Sequence, residues 1–154
     1  MVDTTRGREM RHALGASRGA LSEADYQRLA EFRYLLRQFL LFSKEAAERE
    51  GLTAQQHQAL LAIKGDREPG ALTTGALAER LAIRPHSAVG LIDRLAAKGL
   101  VRRSSGPVDR RQVVVELTGH AEEVLQSLTL AHRSEVERLA PLLNELLGHF
   151  GTKR

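Results

Sequence analysis

Basic side chains crowd one stretch of this 154-residue chain. Between Arg80 and Arg111 lie eight Arg and Lys residues (80, 84, 94, 98, 102, 103, 110 and 111) against two acids, Asp93 and Asp109, a local balance of +6. The whole chain carries +4, so everything outside that stretch sums to −2. A positive field confined to one region suits a polyanion, because phosphates are steered to it and their condensed counterions are released. Other chemistries find less material. There is no Cys, which removes disulfides, thiol catalysis and thiol redox sensing. The six His (12, 57, 86, 120, 132 and 149) form no His-x-x-x-His pair, and neither a Gly-rich phosphate loop nor a nucleophile elbow occurs. The chain is therefore not expected to be an enzyme or to need a cofactor. His57, His120 and His132 with Glu residues are the one set that could converge on a metal, but without thiols or ligand spacing no metal is expected. Aromatics make up 4% with no Trp, which argues against single strands held by stacked bases.

The cations sit on a short helix, a turn, a second helix and a hairpin. Thr73 or Thr74 starts the short helix, which holds Leu77, Ala78 and Leu81. Pro85 stands at the first turn of the second helix, where its missing N–H does no harm. Gly99 ends that helix, with Lys98 in the last turn where the dipole favours a cation. Residues 100–105 and 111–117 are β-rich runs around Gly106-Pro107. In the second run Val113, Val115 and Leu117 share one face, and Gln112, Val114 and Glu116 the other.

Within the second helix, Ala88, Leu91, Ile92 and Leu95 recur at helical spacing and form the expected buried stripe. At about 100° per residue the opposite side carries His86, Val89, Gly90 and Asp93, flanked by Ser87 and Arg94. His86 and Ser87 can hydrogen-bond a base or a phosphate, Val89 can meet a thymine methyl, and Arg84 and Arg94 suit phosphates or flanking bases. Gly90 costs about 1 kcal/mol relative to Ala in mid-helix. That makes sense where the backbone approaches a base edge or the sugar-phosphate rail; a tolerated surface glycine is the alternative. Asp93 would repel DNA, so it is expected to pair with Arg94, Arg110 or another arginine of the hairpin. Asp109 and Arg111, two apart on an extended strand, would share a face, letting the carboxylate hold the guanidinium outward for a minor groove. The alternative there is a solvated charged turn. Arg102, Arg103 and Arg110 complete the basic set.

Longer helices flank this region. Ser22, with Glu23 and Asp25, opens one that runs to about Glu50 and ends at Gly51. Leu29, Phe32, Leu36, Phe39 and Leu40 form one stripe, yet Leu35, Leu41 and Phe42 fall outside it. A helix apolar on more than one side needs cover beyond its own small lobe, and a second chain is the economical cover; packing within the monomer is the alternative. Thr53-Ala-Gln-Gln56 is a capping box for the next helix, and 65–70 reads as a loop. Thr118 caps a further helix bearing Leu125, Leu128, Ala131, His132 and Val136, and Pro141 is expected to break or restart it before Leu142, Leu143, Leu146, Leu147 and Phe150. Residues 1–20, with four Arg and little apolar periodicity, read as a flexible arm. No run is apolar and long enough for a membrane span and no signal peptide is visible, so a cytoplasmic home is expected.

The words Gly51-Leu-Thr53 with Gln56, Leu77-Ala-Glu-Arg-Leu81, Leu91-Ile-Asp-Arg-Leu95, Gly99-Leu-Val101, Asp109-Arg-Arg111 and Leu117-Thr118 resemble the multiple-antibiotic-resistance-regulator (MarR) family of winged-helix transcription factors. The likeness runs from about Tyr26 to the last helix, and the wing sequence is its most specific part. It implies a homodimer joined by the first helix and the last two, one winged helix per subunit on a pseudo-palindromic operator, and a repressor released by a small, often anionic aromatic ligand. It also implies that Pro85 to Lys98 is the groove-reading helix, Arg111 the minor-groove arginine and Asp109 its supporting acid. Two departures stand out. Arg84 takes the place of a usual Ser or Thr cap, and Ser87, Val89 and Gly90 replace a Thr-x-Thr-Arg-like set, so base-by-base reading does not carry over. The missing Cys sets aside the family's peroxide-sensing branch.

The expected fold is mainly α with a small β wing: a winged helix-turn-helix lobe over 53–117 plus long dimerisation helices over 21–52 and 118–154, after a basic arm at 1–20. The expected DNA contacts are Arg84, His86, Ser87, Val89, Gly90, Arg94, Arg102, Arg103, Asp109, Arg110 and Arg111. Arg33, Arg37 and His57 are the candidates for an anionic effector. A metal-responsive regulator of the same fold, or a winged-helix protein-interaction module without DNA binding, are the alternatives.

Overall fold

The computed structural model describes residues 21–68 and 70–150. The basic arm expected at 1–20, and Pro69 in the expected loop, lie outside the described residues. Among the described residues, five helices and one hairpin follow in the order α1 (Glu23–Arg49), α2 (Ala54–Lys64), α3 (Thr74–Leu81), α4 (Pro85–Ala97), β1 (Val101–Ser105), β2 (Val113–Leu117) and α5 (Gly119–Phe150). The chain divides into two compact units, with the boundary between Tyr34 and Leu35 inside α1. In the first unit, Ser22 and Asp25 cap the start of α1 reciprocally, the Ser22 backbone N–H donating to Asp25 Oδ2 at 2.8 Å and Asp25 N–H to Ser22 Oγ at 3.3 Å.

In the second unit, one continuous core joins Ala46, Ala47 and Leu52, the inner faces of α2, α3 and α4, the base of the hairpin, and Ala121, Leu125 and Leu128 of α5. Each short helix has a local reason to begin where it does. The Thr53–Gln56 capping box is formed in both directions at 3.0 and 3.1 Å. Thr73, the first of the two candidates, caps α3 by accepting from Ala76 N–H at 3.1 Å. Thr118 accepts from Ala121 N–H at 3.2 Å while its hydroxyl donates to the Gly99 carbonyl at 2.7 Å. That one side chain starts α5 and ties it to the end of α4.

The two strands pair antiparallel with Val101 opposite Leu117 and Ser105 opposite Val113. The hairpin is narrower than its β-rich runs, since Arg111 and Gln112 belong to the tip. Its outer edge is covered: Val115 N–H donates to the Leu72 carbonyl at 2.9 Å, and Thr73 forms a bridge with Val114. This third segment explains why Val114 and Val115, on opposite faces of β2, are both buried.

On α1, Leu29, Leu36, Leu40 and Leu41 are exposed and Phe32 and Phe39 half-buried, whereas Leu35, Ala46 and Ala47 are buried and Phe42 packs on the core. One sequence expectation changes. Pro141 neither breaks nor restarts α5, which continues through it. A proline there forfeits one backbone hydrogen bond. The helix persists because Leu139 before it is buried, and Leu139 and Leu143 on either side of the proline line a shared apolar groove of about 220 Å³ with Leu35, Leu36 and Phe39 of α1.

The turn between α3 and α4 closes on a left-handed residue that is not glycine. Ala82 has φ 52°, with Ile83 N–H donating to the Ala78 carbonyl at 3.0 Å and Ala82 N–H to Glu79 at 3.1 Å. The equivalent position after α4 is Gly99, at φ 70°. An L-residue in this conformation is strained by roughly 1–2 kcal/mol, more than the roughly 0.4–1 kcal/mol that added unfolded-chain entropy costs a glycine. Ala82→Gly is therefore expected to raise unfolding stability by about 0.5–1 kcal/mol in urea titrations. A variant no more stable than the parent would show that the turn is relaxed with alanine.

Candidate nucleic-acid interface

The inner face of α4 is buried as its spacing requires: Ala88, Leu91, Ile92 and Leu95 are each at most 1% exposed. Their burial fixes the rotation of the helix and leaves His86, Ser87, Val89, Asp93 and Arg94 exposed, with Gly90 half-buried. Arg84 occupies the N-cap but its side chain makes no cap hydrogen bond, and Pro85 follows. The departure from a Ser or Thr cap therefore leaves the Arg84 guanidinium free to point elsewhere.

The eight cations divide into two groups. Four are committed within the fold. Arg80 Nη2 meets Asp66 Oδ1 at 2.6 Å and ties α3 to the loop before it. Lys98 Nζ donates to the Gly51 carbonyl. Arg102 Nε meets Glu116 Oε2 at 3.1 Å across the hairpin, and Arg103 pairs with Asp93 of α4. Among the described residues, Arg84, Arg94, Arg110 and Arg111 have no acid partner. Exposed pairs of the committed kind are worth at most about 1 kcal/mol each. Their consequence is placement: Asp93, the one acid on the outer side of α4, is covered by a wing arginine, as expected in general terms, and the partner is Arg103.

The wing tip is built differently from the expectation. Residues 109–112 form a turn rather than extended strand. The Asp109 carboxylate accepts the Arg111 backbone N–H at 2.9 Å and does not grip the Arg111 guanidinium. Gln112 N–H donates to the Asp109 carbonyl at 3.1 Å, and Gly106 N–H to the Gln112 carbonyl at 2.9 Å. A Cβ at Gly106 would come within 2.5 Å of that same Asp109 carbonyl oxygen, so the tip closes only over glycine. Asp109 thus shapes the turn, and both Arg110 and Arg111 are left exposed. Val108, which sequence reasoning passed over, is 98% exposed at the same tip. Its signal was an apolar residue inside a Gly-Pro-x-Asp turn.

His57 is buried at 3% exposure, against the α5 side chain His132, with ring centroids 4.7 Å apart. His132 donates from Nδ1 to the Leu128 carbonyl at 2.7 Å, which leaves Nε2 to accept from the Ser43 hydroxyl at 2.8 Å. Phe39 and Phe42 meet the His132 ring edge-on. His57 Nδ1 has no partner among the described residues. Burial, and then the neighbouring His132, push the His57 pKa below the ordinary imidazole value. Arg33 and Arg37 are exposed on α1. His120 is exposed and stands outside the His57–His132 pair; among the described residues no three His, Asp or Glu gather as a metal site.

Three helices packed on a two-stranded hairpin, with α3 and α4 joined by a tight turn and a third segment bonded along β2, define a winged helix-turn-helix. Residues 50–112 match the MarR family. The transcriptional repressor MdtR of Bacillus subtilis is 27% identical over 101 residues, 66% of this chain and 63% of MdtR. The chain spans about half the length of other curated relatives that it matches. Among solved structures, a mutant of MepR from S. aureus bound to an oligodeoxyribonucleotide superposes with a TM-score of 0.62 at 19% identity, covering 79% of this chain and 96% of MepR. CouR from Rhodococcus jostii bound to p-coumaroyl-CoA superposes with a TM-score of 0.64 at 18% identity, covering 87% and 93%. These two likenesses establish the fold.

The lowered His57 pKa has a consequence for stability. As pH falls below about 6.5, the unfolded chain binds a proton that folded His57 resists, so stability present above that pH is progressively lost. The melting temperature is expected to drop between about pH 7.5 and pH 5.5, and to drop less in His57→Gln. Equal pH slopes for the two proteins would remove His57 as the cause.

Proposed function

We propose that the chain is a sequence-specific, double-stranded-DNA-binding transcriptional regulator that acts as a homodimer, represses its target, and is released by a small anionic or aromatic ligand. The observation that carries this reading is the division of the cations: Arg84, Arg94, Arg110 and Arg111, on α4 and at the wing tip, keep their full charge for phosphates and base edges. In this reading α4 lies in a major groove with His86, Ser87, Val89 and Gly90 toward the bases. The wing presents Arg110 and Arg111, with Val108 between Pro107 and Asp109, to a minor groove. Arg102 and Arg103 contribute through their intramolecular pairs, with their remaining N–H groups free for phosphate. Asp109 acts on Arg111 through its backbone.

The residue ranges 21–52 and 118–154 are proposed to dimerise, and 53–117 to bind DNA. Support comes from the apolar side chains left outside on both long helices, among them Leu36, Leu40 and Leu41 of α1 and Leu142, Leu147 and Phe150 of α5. Two copies would present two α4 helices to half-sites about one helical turn apart. Repression is supported by the likeness to MdtR, and ligand release by the likeness to CouR. Arg33 and Arg37 are the proposed contacts for an anionic effector; His57, being buried, would meet it only as part of a crevice wall. A ligand that prefers a different separation of the two α4 helices would shift the population by its differential affinity.

The test is binding of full-length protein to a duplex selected from a random pool. Log K is expected to fall steeply and linearly with log salt. Arg111→Ala should remain folded and dimeric while its affinity falls at least about tenfold, or about 1.4 kcal/mol, with the salt slope lowered by about 1. Unchanged affinity in Arg111→Ala would refute the role of the wing, and indifference to duplexes at low salt would refute the whole reading.

A further inference from the structure

We propose that Arg94 is the base-reading side chain of α4, that Gly90 and Arg103 are the positioning residues that set it, and that the group it reads is a guanine. This inference rests on the duplex-binding reading above. A Cβ added at Gly90 would lie 3.4 Å from Nη1 of Arg94. The guanidinium therefore lies back over the preceding turn, in the space a longer side chain at position 90 would occupy. That direction is the one helical side chains take, toward the N-terminus and over the residue four back. It carries the charge of Arg94 toward the first turn, where His86 and Ser87 stand exposed.

The electrostatic setting agrees with the steric one. Arg94 has no acid partner among the described residues, and the carboxylate next to it in sequence, Asp93, is held by Arg103 of β1. Arg103 thereby cancels the one negative charge on the outer side of α4, beside which Arg94 stands. Nothing else on the outer side of α4 is a fixed cation: the exposed residues there are His86, Ser87, Val89 and Asp93. A guanidinium so presented is a planar fork of donors. The base edge that offers two acceptors to such a fork in the major groove is guanine O6 and N7. Lysine carries the same charge without the fork, so it can replace Arg94 on phosphate but not on that edge. Glycine at 90 thus acts as clearance for Arg94 rather than as a point of backbone approach to DNA.

The test compares duplexes selected by full-length wild type, Arg94→Lys, Gly90→Ala, Gly90→Leu, Arg103→Ala and the double variant Gly90→Leu/Arg94→Lys, each checked for folding by circular dichroism. Wild type should fix a guanine at one position by about tenfold or more over other bases. Arg94→Lys should bring that preference below about threefold while retaining low-salt affinity for duplex. Gly90→Leu should lose the same preference, and Gly90→Ala should keep it because a methyl meets Nη1 at ordinary contact distance. Arg103→Ala should weaken it, and the double variant should be no worse than either single change at that position. A guanine preference that survives Arg94→Lys, or a selected site with no fixed guanine, overturns the proposal. A preference lost in Arg94→Lys but kept in Gly90→Leu or Arg103→Ala removes the positioning role of that residue. Wild type that ignores duplexes at low salt fails differently, by overturning the duplex-binding reading itself.

Discussion

Four apolar side chains on one side of α4 set the orientation of everything that faces outward from it. Ala88, Leu91, Ile92 and Leu95 are fully buried in a core shared with α2, α3, the hairpin base and α5. Side chains packed at interior density do not rotate about the helix axis without opening cavities, and each lost leucine would cost several kcal/mol. The outer residues of α4 are therefore held at one angle by hydrophobic packing on the far side. Hydrogen bonding of β2 to Leu72 and Thr73 then fixes the hairpin against the same core, and Thr118 links the end of α4 to the start of α5.

On that frame, ion pairs distribute the charge. Each exposed pair contributes little to stability, yet together they determine which guanidinium groups stay solvated. Arg80, Arg102 and Arg103 are held by Asp66, Glu116 and Asp93. Arg84, Arg94, Arg110 and Arg111 are left over. The acids in the basic stretch serve as internal fixtures: Asp93 is drawn to the wing, and Asp109 closes the tip turn through a backbone N–H. The cations of the basic stretch are in this way reduced to four guanidinium groups with no acid partner among the described residues.

The long helices pose the opposite problem, a surplus of apolar surface. The burial of Leu35, Ala46 and Ala47 satisfies one side of α1 and leaves Leu36, Leu40 and Leu41 outside. Between α1, α2 and α5 the His57–His132 contact sits among Phe39 and Phe42, pairing buried His57 with half-buried His132 at the junction of the long helices with the lobe. Such a junction is sensitive to any proton that His57 is made to accept, because burial and a neighbouring imidazole both oppose its charge.

Periodicity, caps and charge counts by themselves determined a good deal. The helix-turn-helix and hairpin, the buried stripe of α4, the Thr53–Gln56 capping box, a cap at Thr73 or Thr74, the Thr118 cap and the concentration of cations all follow from local rules in which a residue's neighbours along the chain decide its role. What only the tertiary structure decided are choices among partners distant in sequence. Arg94, Arg110 and the other hairpin arginines were candidates for Asp93, and the packing of β1 on α4 selected Arg103. Apolar residues on more than one side of α1 did not say which of them meet the core, and Phe42, Ala46 and Ala47 are the ones that do. Pro141 carries a local penalty that helix packing on both sides of it outweighs. The Asp109–Arg111 face assumed an extended strand, whereas closure over Gly106 made a turn. Local sequence encodes how a segment would bend and which side is apolar; which surface it then meets depends on contacts that exist only once the chain has folded.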